Sequence, residues 1–422
     1  MIVVLSQGCA ANFGDGEKIA RILSRKAEVS FTFPEQTNDT DSASNATPEA
    51  FFLNVCTVKG NAGAIKLLRK VVNAYPNVPV FITGCAPKDF REEAVKVTDK
   101  VKFTSLKEIS PGTSPGQVIQ AGKEVLRESP FVGIVNIEEG CLDACAFCST
   151  HLVKGRLHSF APDAIVNQVK SLVDDGCLEI QLTGQDCACY GFDIGTNLAE
   201  LTQRILTHVN GNYRIRLGMG NPRHVLNYQE ALLDCFTDER IYKFIHIPVQ
   251  SGSEHVLKAM NRRHTAFDYA TLAHAFTERF NKFTLSTDLI VGYPGETAED
   301  FNDTLELLKS TRPTVCNITR FVARPGTVAA RLEESGEAVP DIVKHERSAI
   351  LAEAFQKIAL ENNREWIGDE CMVVTEKPGH RNGTTIARNE AYRPVALLGD
   401  FPAGKTLRVR IKDAEAFALL SY

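Results

Sequence analysis

The sequence predicts an α/β protein in three parts: a small parallel α/β domain, an incomplete (β/α)6 barrel, and a small antiparallel β-barrel at the C-terminal end. The first two parts are predicted because short apolar runs alternate with helical patterns, and a second alternation of this kind begins after about residue 128. The third part is predicted from about Glu365, where apolar and polar residues alternate with period two between glycines.

The first domain is predicted over residues 1–110. Its strand candidates are IVVL, FFLNV and PVFIT, and its helical patterns are DGEKIARILSRKA, GAIKLLRKVVNAY and KDFREEAVKVT. The turn-rich stretch PEQTNDTDSASNATPE is expected to be a loop, and SPGTSPG, at 110–116, marks the next break.

The barrel is predicted over residues 128–355 and the last domain over 362–422. Each barrel strand is followed by a loop and a helical pattern; the candidates are FVGIVNI, LEIQLT, YRIRLG, KFIHIP, FTLSTDLIV and VCNITRF. A long helix around VKHERSAILAEAFQKIALENN then leads to the strand patterns ECMVVTE and TLRVRIKDA. Loops at the C-terminal mouth of such a barrel normally carry its chemistry.

Composition excludes several protein classes. A hydrophobic content of 44% and a charged content of 23% are typical of globular rather than disordered chains. A net charge of −5 argues against a surface that is basic all over, although a local basic face is compatible with it. The start, MIVVLSQGC, resembles neither a signal peptide nor a membrane span, so we expect no membrane partner. Twelve cysteines in so long a chain predict metal or catalytic thiols in a reducing compartment, the cytoplasm.

Three cysteines follow the first barrel strand directly: Cys141, Cys145 and Cys148, in GCLDACAFCST. A structural zinc site needs four ligands, and no fourth cysteine or histidine at suitable spacing completes this group. Three thiolates suit an iron–sulfur cluster that keeps one iron open for another ligand. The spacing therefore predicts such a cluster at the mouth of the barrel.

This C-x3-C-x-aromatic-C pattern, with Phe147 as the aromatic residue, resembles the signature of the radical S-adenosylmethionine (SAM) enzymes. The resemblance implies that SAM binds the open iron and that its reductive cleavage yields a 5′-deoxyadenosyl radical. It also implies that Gly184 and Gln185 lie near the SAM amino group and that Arg262 meets the SAM carboxylate, a role that suits a planar guanidinium. Small and polar residues at two further strand ends are cofactor candidates as well: Gln250, Ser251, Gly292 and Gly295.

A second group of cysteines ends the strands of the first domain: Cys9, Cys56 and Cys85. Loops at the carboxyl ends of parallel strands converge, so these thiols are able to meet, although spacing alone is equally compatible with three core cysteines. The surrounding motifs GCxxNxxDxE, NxCTVK and TGC resemble the N-terminal domain of the methylthiotransferases, where an auxiliary [4Fe–4S] cluster carries or donates sulfur. The other six cysteines match no family ligand; Cys187 and Cys189 follow TGQD near the mouth.

Finer motifs indicate the substrate. CTVKG, YGFDIGTNL, RLGMGNP and HIPVQSGS are most similar to the archaeal and eukaryotic branch, which acts on tRNA carrying N6-threonylcarbamoyladenosine (t6A) next to the anticodon. The resemblance implies the product 2-methylthio-t6A, two [4Fe–4S] clusters, an electron donor and a sulfur source; no side chain is assigned as a general base. Isopentenyladenosine tRNA and a ribosomal-protein aspartate remain alternative substrates, and a non-catalytic zinc- and RNA-binding protein is the remote alternative.

Two further features concern the cluster loop and the tail. The family usually has Arg-Gly shortly after the third cluster cysteine, whereas this chain has Lys154 before Gly155, which keeps the charge but loses the guanidinium fork. The tail resembles a TRAM domain, a small RNA-binding barrel, and residues 371–412 carry eight basic and three acidic side chains. Three of the basic residues fall on one face of a predicted strand and are candidate RNA contacts: Arg408, Arg410 and Lys412.

Overall fold

The computed structural model describes residues 1–34, 47–57, 60–110 and 126–422. Most of the loop predicted at 34–49 and most of the break at 110–116 lie outside the described residues. So do Val58 and Lys59 of the CTVKG motif.

The N-terminal sheet has five parallel strands in the order β2-β1-β3-β4-β5, which confirms the predicted parallel α/β arrangement. Phe51 and Leu53 pack on one face with the second and third helices, and Phe52 packs on the other face with the first. The elements are β1 (Ile2–Ser6), α1 (Ala10–Leu23), β2 (Val29–Ser30), β3 (Ala50–Cys56), α2 (Ala62–Ala74), β4 (Val80–Cys85), α3 (Lys88–Val97), β5 (Val101–Phe103) and α4 (Leu106–Ile109).

The partial barrel consists of two parallel three-stranded sheets, in the orders β10-β9-β6 and β11-β12-β13, joined by a bridge between Ile215 and Ile241. All six predicted strands are present. The elements are β6 (Val132–Asn136), β7 (Glu138–Glu139), α5 (Thr150–Lys154), β8 (His158–Ser159), α6 (Pro162–Asp174), β9 (Glu179–Thr183), α7 (Leu198–His208), β10 (Arg214–Leu217), α8 (Pro222–Val225), α9 (Gln229–Cys235), β11 (Phe244–His246), α10 (Glu254–Ala259), α11 (Ala266–Arg279), β12 (Thr284–Val291), α12 (Ala298–Thr311), β13 (Val315–Arg320) and α13 (Val328–Leu332).

The barrel strands present alternate side chains to the outer helices and to the lumen, as the pleat of a strand requires. Ile180, Leu182, Ile215 and Leu217 belong to the large core that packs against the outer helices. The residues between them therefore face inward. A short antiparallel ribbon, β7 paired with β8, was not predicted; it brackets the cysteine loop and pairs Glu138 with Ser159.

The long helix α14 (Asp341–Arg364) connects the barrel to a curled six-stranded sheet in the order β17-β14-β15-β16-β19-β18. The sheet is mixed rather than purely antiparallel, because the last strand returns alongside β16 in the parallel direction and pairs Val395 with Leu419. Its strands are β14 (Glu370–Pro378), β15 (Thr384–Asn389), β16 (Pro394–Leu398), β17 (Thr406–Arg410), β18 (Asp413–Glu415) and β19 (Ala418–Leu420).

The C-terminal sheet packs against the end of the barrel at which strands β9 and β12 begin. The Tyr392 hydroxyl donates to Glu179 Oε1 at 3.1 Å, inside the barrel. Arg393 is buried and donates from Nε to Thr284 Oγ1 at 3.2 Å. Within the described part of the chain, no helix combines the length and the apolar character that crossing a membrane requires.

Candidate active site

The three N-terminal cysteines lie together at the carboxyl edge of the N-terminal sheet. Cys56 and Cys85 are direct partners in the register of β3 and β4, and Cys9 immediately precedes α1. Gly8 has a φ of 111°, and a Cβ atom there would overlap the Cys56 Cβ and lie 2.8 Å from its Sγ. The backbone before Cys9 is therefore pressed against Cys56, an approach that only glycine permits.

The surroundings of these thiols disfavour an unpaired thiolate. Burial raises the pKa of the Cys85 thiol to about 12, and the neighbouring Cys56 and Cys9 act in the same direction. Lys154 opposes this shift from the barrel side. Only thiolates ligate iron. With its pKa raised, Cys85 becomes a thiolate here only when a cation is bound beside it. Three converging thiols therefore fit the cluster that the sequence implies, and the ligand assignment itself stays a prediction.

Polar residues of the same motifs fix these loops. The Asn12 amide donates to the Gln7 and Val55 carbonyls, each at 2.8 Å. The Asn54 amide donates back to the Asn12 carbonyl, and the Thr57 hydroxyl donates to the Cys85 carbonyl at 2.9 Å. The buried amides thus supply hydrogen bonds that the loop backbone would otherwise lack. These bonds hold the cysteines in place.

The loop of Cys141, Cys145 and Cys148 is held at the barrel mouth by backbone contacts. Cys141 N donates to Gly155 O at 3.2 Å, and Ala146 N donates to Met260 O at 2.9 Å. The Asn261 amide donates to Ala144 O at 2.8 Å. Burial raises the pKa of Cys145 to about 11, and the neighbouring Cys148 acts in the same direction. The predicted loop position is observed.

A buried carboxylate inside this loop was missed at the sequence level. Asp143 accepts from Arg223 Nη1 at 2.6 Å and from Asn221 Nδ2 at 2.6 Å, and lies 3.0 Å from His224 Nε2. Three donors from the mouth of β10 therefore anchor the loop through one side chain. These partners depress the pKa of Asp143 although burial alone would raise it. Two sequence features could have indicated this network: the aspartate between Cys141 and Cys145, and the NPRH stretch that follows RLGMG.

Arg262, the residue expected to meet the SAM carboxylate, lies against Cys145. Its Nη1 donates to Cys145 Sγ at 3.4 Å and its Nη2 donates to Pro248 O at 2.7 Å. Its Nε is buried and has no hydrogen-bond partner among the described residues. A buried guanidinium with a free donor beside the cysteines fits the carboxylate of SAM, and this role stays a prediction.

Gly184 and Gln185 contact the entrance of the cysteine loop. A Cβ atom on Gly184 would overlap the Glu138 carboxylate, and the Gln185 side-chain oxygen Oε1 accepts from Gly140 N at 2.7 Å. Glu138 is 1% exposed, and burial raises its pKa well above the usual range. The two predicted SAM contacts are therefore next to Cys141, with the side chain of Gln185 already supporting the loop.

The other predicted cofactor residues differ in their surroundings. Gln250 has a φ of 82° and bonds through its backbone to Asp288, at the upper end of the lumen. Ser251 is fully buried 3.1 Å from Thr304 Oγ1 of α12. A Cβ atom on Gly292 would overlap Lys344 of α14, and Gly295 N donates to Glu337 O at 2.8 Å. Ser251, Gly292 and Gly295 thus serve the packing of outer helices, and their contact with SAM stays a prediction.

All twelve cysteines are free of disulfide bonds. Cys187 and Cys189 are fully buried, and Cys189 is a hydrogen-bond neighbour of Cys141. The Sγ atoms of Cys141 and Cys189 and a carboxylate oxygen of Asp186 lie within 4.8 Å of one another. Cys187 packs against Gly218 in the core. Of the two, Cys189 is therefore the one that reaches the loop.

Lys154 joins the two cysteine groups. Its ammonium lies 3.0 Å from Asp15 Oδ2 on α1 and 3.3 Å from Glu139 Oε1. Burial acts to lower the pKa of Lys154, but the two carboxylates outweigh it and raise the pKa. The lysine that departs from the expected arginine therefore makes a buried ion pair with an acid of the GCxxNxxDxE motif.

The three candidate RNA contacts are exposed on the C-terminal sheet. Arg408 and Arg410 alternate on β17 with Leu407 and Val409, which pack against the small core, and Lys412 follows. The basic surface is smaller than the sequence indicated: Arg393 is buried, and Arg388 pairs with Glu376 at 2.8 Å. The RNA contacts themselves stay a prediction.

The chain is similar to known proteins over nearly its whole length. Residues 135–308 match the radical SAM superfamily. A protein of Archaeoglobus fulgidus named "Probable threonylcarbamoyladenosine tRNA methylthiotransferase" is 35% identical over 98% of this chain and 96% of its own length. The human protein named "Threonylcarbamoyladenosine tRNA methylthiotransferase" is 30% identical over 98% of this chain and 72% of its own length.

Among solved structures, the radical SAM methyltransferase TsrM of Kitasatospora setae, with cobalamin and a [4Fe–4S] cluster bound, has a similar fold. Its TM-score is 0.53 at 14% identity, and the match covers 78% of this chain and 76% of that one. At this identity the likeness supports the fold alone. It agrees with the parallel strands and the partial barrel described above.

Proposed function

The chain belongs to the threonylcarbamoyladenosine tRNA methylthiotransferases, a family of radical SAM enzymes, and on this basis we propose the roles of its residues. The enzyme inserts sulfur and a methyl group at C2 of t6A next to the anticodon of tRNA, which gives 2-methylthio-t6A. One observation carries the assignment: two groups of three cysteines, on two different sheets, lie on either side of a single buried ion pair.

The cofactors are SAM and two [4Fe–4S] clusters, and the residues fit them. Cys141, Cys145 and Cys148 hold the cluster at the barrel mouth, and Cys9, Cys56 and Cys85 hold the auxiliary cluster. When bound, these groups supply the radical, the methyl group and the sulfur that an unactivated aromatic C–H requires, since no polar side chain is able to activate such a bond.

The chain itself holds the reacting groups in position. Arg262 orients the carboxylate of SAM with a donor that has no partner among the described residues, and Gly184 and Gln185 lie where the amino group is expected. Gln250 lies at the end of the neighbouring strand, where its backbone bonds to Asp288. Ser251, Gly292 and Gly295 act through the backbone of the same strand ends. Asp143 holds the cysteine loop, so that the reacting atoms meet in one geometry.

We assign these roles to three domains. Residues 1–110 form the auxiliary-cluster domain, 128–355 the radical SAM barrel, and 362–422 a TRAM-like domain that binds tRNA. Arg408, Arg410 and Lys412 contact RNA phosphates, since they are exposed on one edge of the C-terminal sheet. The single-stranded anticodon loop is a target whose bases are able to leave the stack.

The remaining partners follow from the chemistry. An electron donor must reduce the barrel cluster, and a sulfur source must restore the sulfur that each turnover removes. We place the protein in the cytoplasm, because twelve free cysteines and two oxygen-sensitive clusters require a reducing compartment.

Nucleoside analysis tests the substrate. Reconstituted enzyme, SAM and a reductant are incubated with three substrates: an anticodon stem-loop carrying t6A, one carrying isopentenyladenosine, and a ribosomal protein with a target aspartate. We expect a methylthio product from the t6A stem-loop alone, by mass spectrometry of the nucleosides digested from each RNA and of the peptides digested from the ribosomal protein. A product from either other substrate supports that alternative. Zinc without acid-labile sulfide would support the non-catalytic zinc protein.

A further inference from the structure

The lumen of the barrel contains a cation, Arg216, that pairs with no acid in the described part of the chain. Arg216 lies on β10 between Ile215 and Leu217, which pack outward, so its side chain points into the barrel. Its guanidinium lies 5.0 Å from the centre of the Phe244 ring and 5.2 Å from that of Tyr392. Within the described ranges it forms no salt bridge, and its Nε is buried without a hydrogen-bond partner.

The acid on the floor of the lumen does not neutralise this charge. Glu179 accepts hydrogen bonds from Gln181 Nε2 at 2.6 Å and from the hydroxyls of Tyr242 and Tyr392, each at 3.1 Å. Its carboxylate is therefore satisfied by neutral donors. Arg216 keeps its full charge and its donors for a ligand.

The opposite wall of the lumen offers further polar groups. Asp288 Oδ1 accepts from Asn317 Nδ2 at 2.7 Å and lies 3.1 Å from His246 Nε2. The side chains of His246 and Asp288 are 15% and 27% exposed, so the wall lines open space. These groups are able to meet hydroxyl and N–H groups of a ligand that enters from the mouth.

We propose that Arg216 forms an anion-binding subsite for the threonyl carboxylate of t6A, and this rests on the proposed function. The substituent at N6 of t6A ends in a carboxylate and carries N–H and hydroxyl groups, whereas an isopentenyl substituent has none of these. A guanidinium engages a carboxylate with two parallel hydrogen bonds. The subsite therefore selects the modified base by the charge of its substituent.

The distance along the strand suits this arrangement. Gly218, two positions after Arg216 and about 7 Å further along the strand direction, contacts Cys187 near the mouth. A base whose C2 faces the cysteine loop thus places an extended substituent within reach of the guanidinium. An apolar substituent would leave the buried Nε of Arg216 unpaired, and such a loss discriminates strongly between substrates.

The test compares two anticodon stem-loops that differ in one charge: one carries t6A and the other carries its neutral methyl ester. Dissociation constants are measured for reconstituted enzyme with SAM, and turnover is followed in parallel. We expect wild type to bind the ester about tenfold more weakly, since hydrogen bonds between charged groups are the strong ones. Arg216→Gln should bind both stem-loops equally, at the level of the ester.

Arg214→Gln is the matched control, because Arg214 lies on the same strand and face but interacts with Glu390. It should keep the penalty for the ester, and Arg216→Lys should keep part of it. Equal binding of both stem-loops by wild type, or an unchanged penalty in Arg216→Gln, would overturn the proposal. If wild type methylthiolates t6A but binds the ester as tightly as the acid, only the subsite proposal is wrong. If it modifies neither stem-loop, the proposed function fails instead.

Discussion

Lys154 Nζ lies 3.0 Å from Asp15 Oδ2, and this ion pair joins α5, the short helix that follows the barrel cysteines, to α1 of the N-terminal domain. Both side chains are 10% exposed. The other Asp15 oxygen accepts from Asn136 Nδ2 of β6 at 2.8 Å. Burial acts to raise the pKa of Asp15, but Lys154 and Lys18 outweigh it and lower the pKa. The contact therefore fixes the separation of the two cysteine groups.

Replacing Lys154 with methionine should destabilise the protein by about 3 kcal/mol, because the buried Asp15 carboxylate loses its nearest cation and keeps only the more exposed Lys18. Lys18→Met is the matched control: Lys18 lies 3.6 Å from the same carboxylate but is 26% exposed, so its loss should cost much less. Urea unfolding measures both. The Lys154→Met, Asp15→Asn double variant should recover part of the loss, and equal effects of the two lysines would contradict this account.

Glu17 predicts a dependence of stability on pH. The Glu17 carboxylate accepts a hydrogen bond from Glu128 N at 3.2 Å. Burial raises the pKa of Glu17 to about 7, although Arg21 and Arg127 act to lower it. Burial also raises the pKa of Glu128 to about 7. The folded protein thus binds this proton more tightly than the unfolded chain, whose glutamate titrates near 4.5. Stability is unaffected below that pH and falls as the pH rises toward 7.

Glu17→Gln stays neutral throughout, so its stability relative to wild type should increase between pH 5 and pH 8, by on the order of 2 kcal/mol. Thermal or urea unfolding across this range measures the change. Glu353→Gln, at an exposed helix position, should show no such increase. A constant difference between Glu17→Gln and wild type at all pH values would be incompatible with the raised pKa.

The sequence predicted most strands, the parallel order of the first two parts, and the convergence of both cysteine groups. These follow from periodicity and from the rule that loops meet at the carboxyl ends of parallel strands. It placed the start of α1 at Asp15, whereas the helix begins at Ala10, because AANFG has little helical patterning and owes its conformation to packing.

What the sequence missed depends on distant partners. The ribbon of β7 and β8 is only two residues long in each strand, too short for any pattern. The Asp143 network joins positions about eighty residues apart, and the Lys154 ion pair joins 154 to 15. Arg393 counted as surface charge in the sequence, but its guanidinium is buried among Thr284, Asn363 and Thr314. Local spacing carries no information on such contacts.

Asp143→Ala should loosen the barrel cluster, because Arg223, Asn221 and His224 lose their common acceptor. Residues that orient metal ligands typically contribute about 10- to 100-fold to metal affinity. Iron retained after a timed challenge with a chelator measures this, in a background without the N-terminal cysteines so that one cluster is counted. Asp174→Ala, at an exposed site paired with Lys170, is the control and should lose iron like its parent. Identical iron loss in both variants would show that the network does not hold the loop.

Removing Arg408, Arg410 and Lys412 together should weaken binding of tRNA and flatten its salt dependence. The slope of log K against log salt should fall by about 2, near 0.7 per phosphate contact to single-stranded RNA. Three exposed lysines that pair with acids on outer helices give the control variant: Lys170, Lys309 and Lys357. If the control lowers the slope as much as the tail variant does, the tail is not the specific RNA contact.

Each group of three cysteines is expected to hold its own cluster. Iron and acid-labile sulfide are measured per chain after anaerobic reconstitution, in wild type and in the Cys9→Ala, Cys56→Ala, Cys85→Ala variant. The account predicts about eight iron atoms in wild type and about four in the variant, with a matching decrease in sulfide. About four iron atoms in both proteins would contradict it and would leave a radical SAM barrel without an auxiliary cluster.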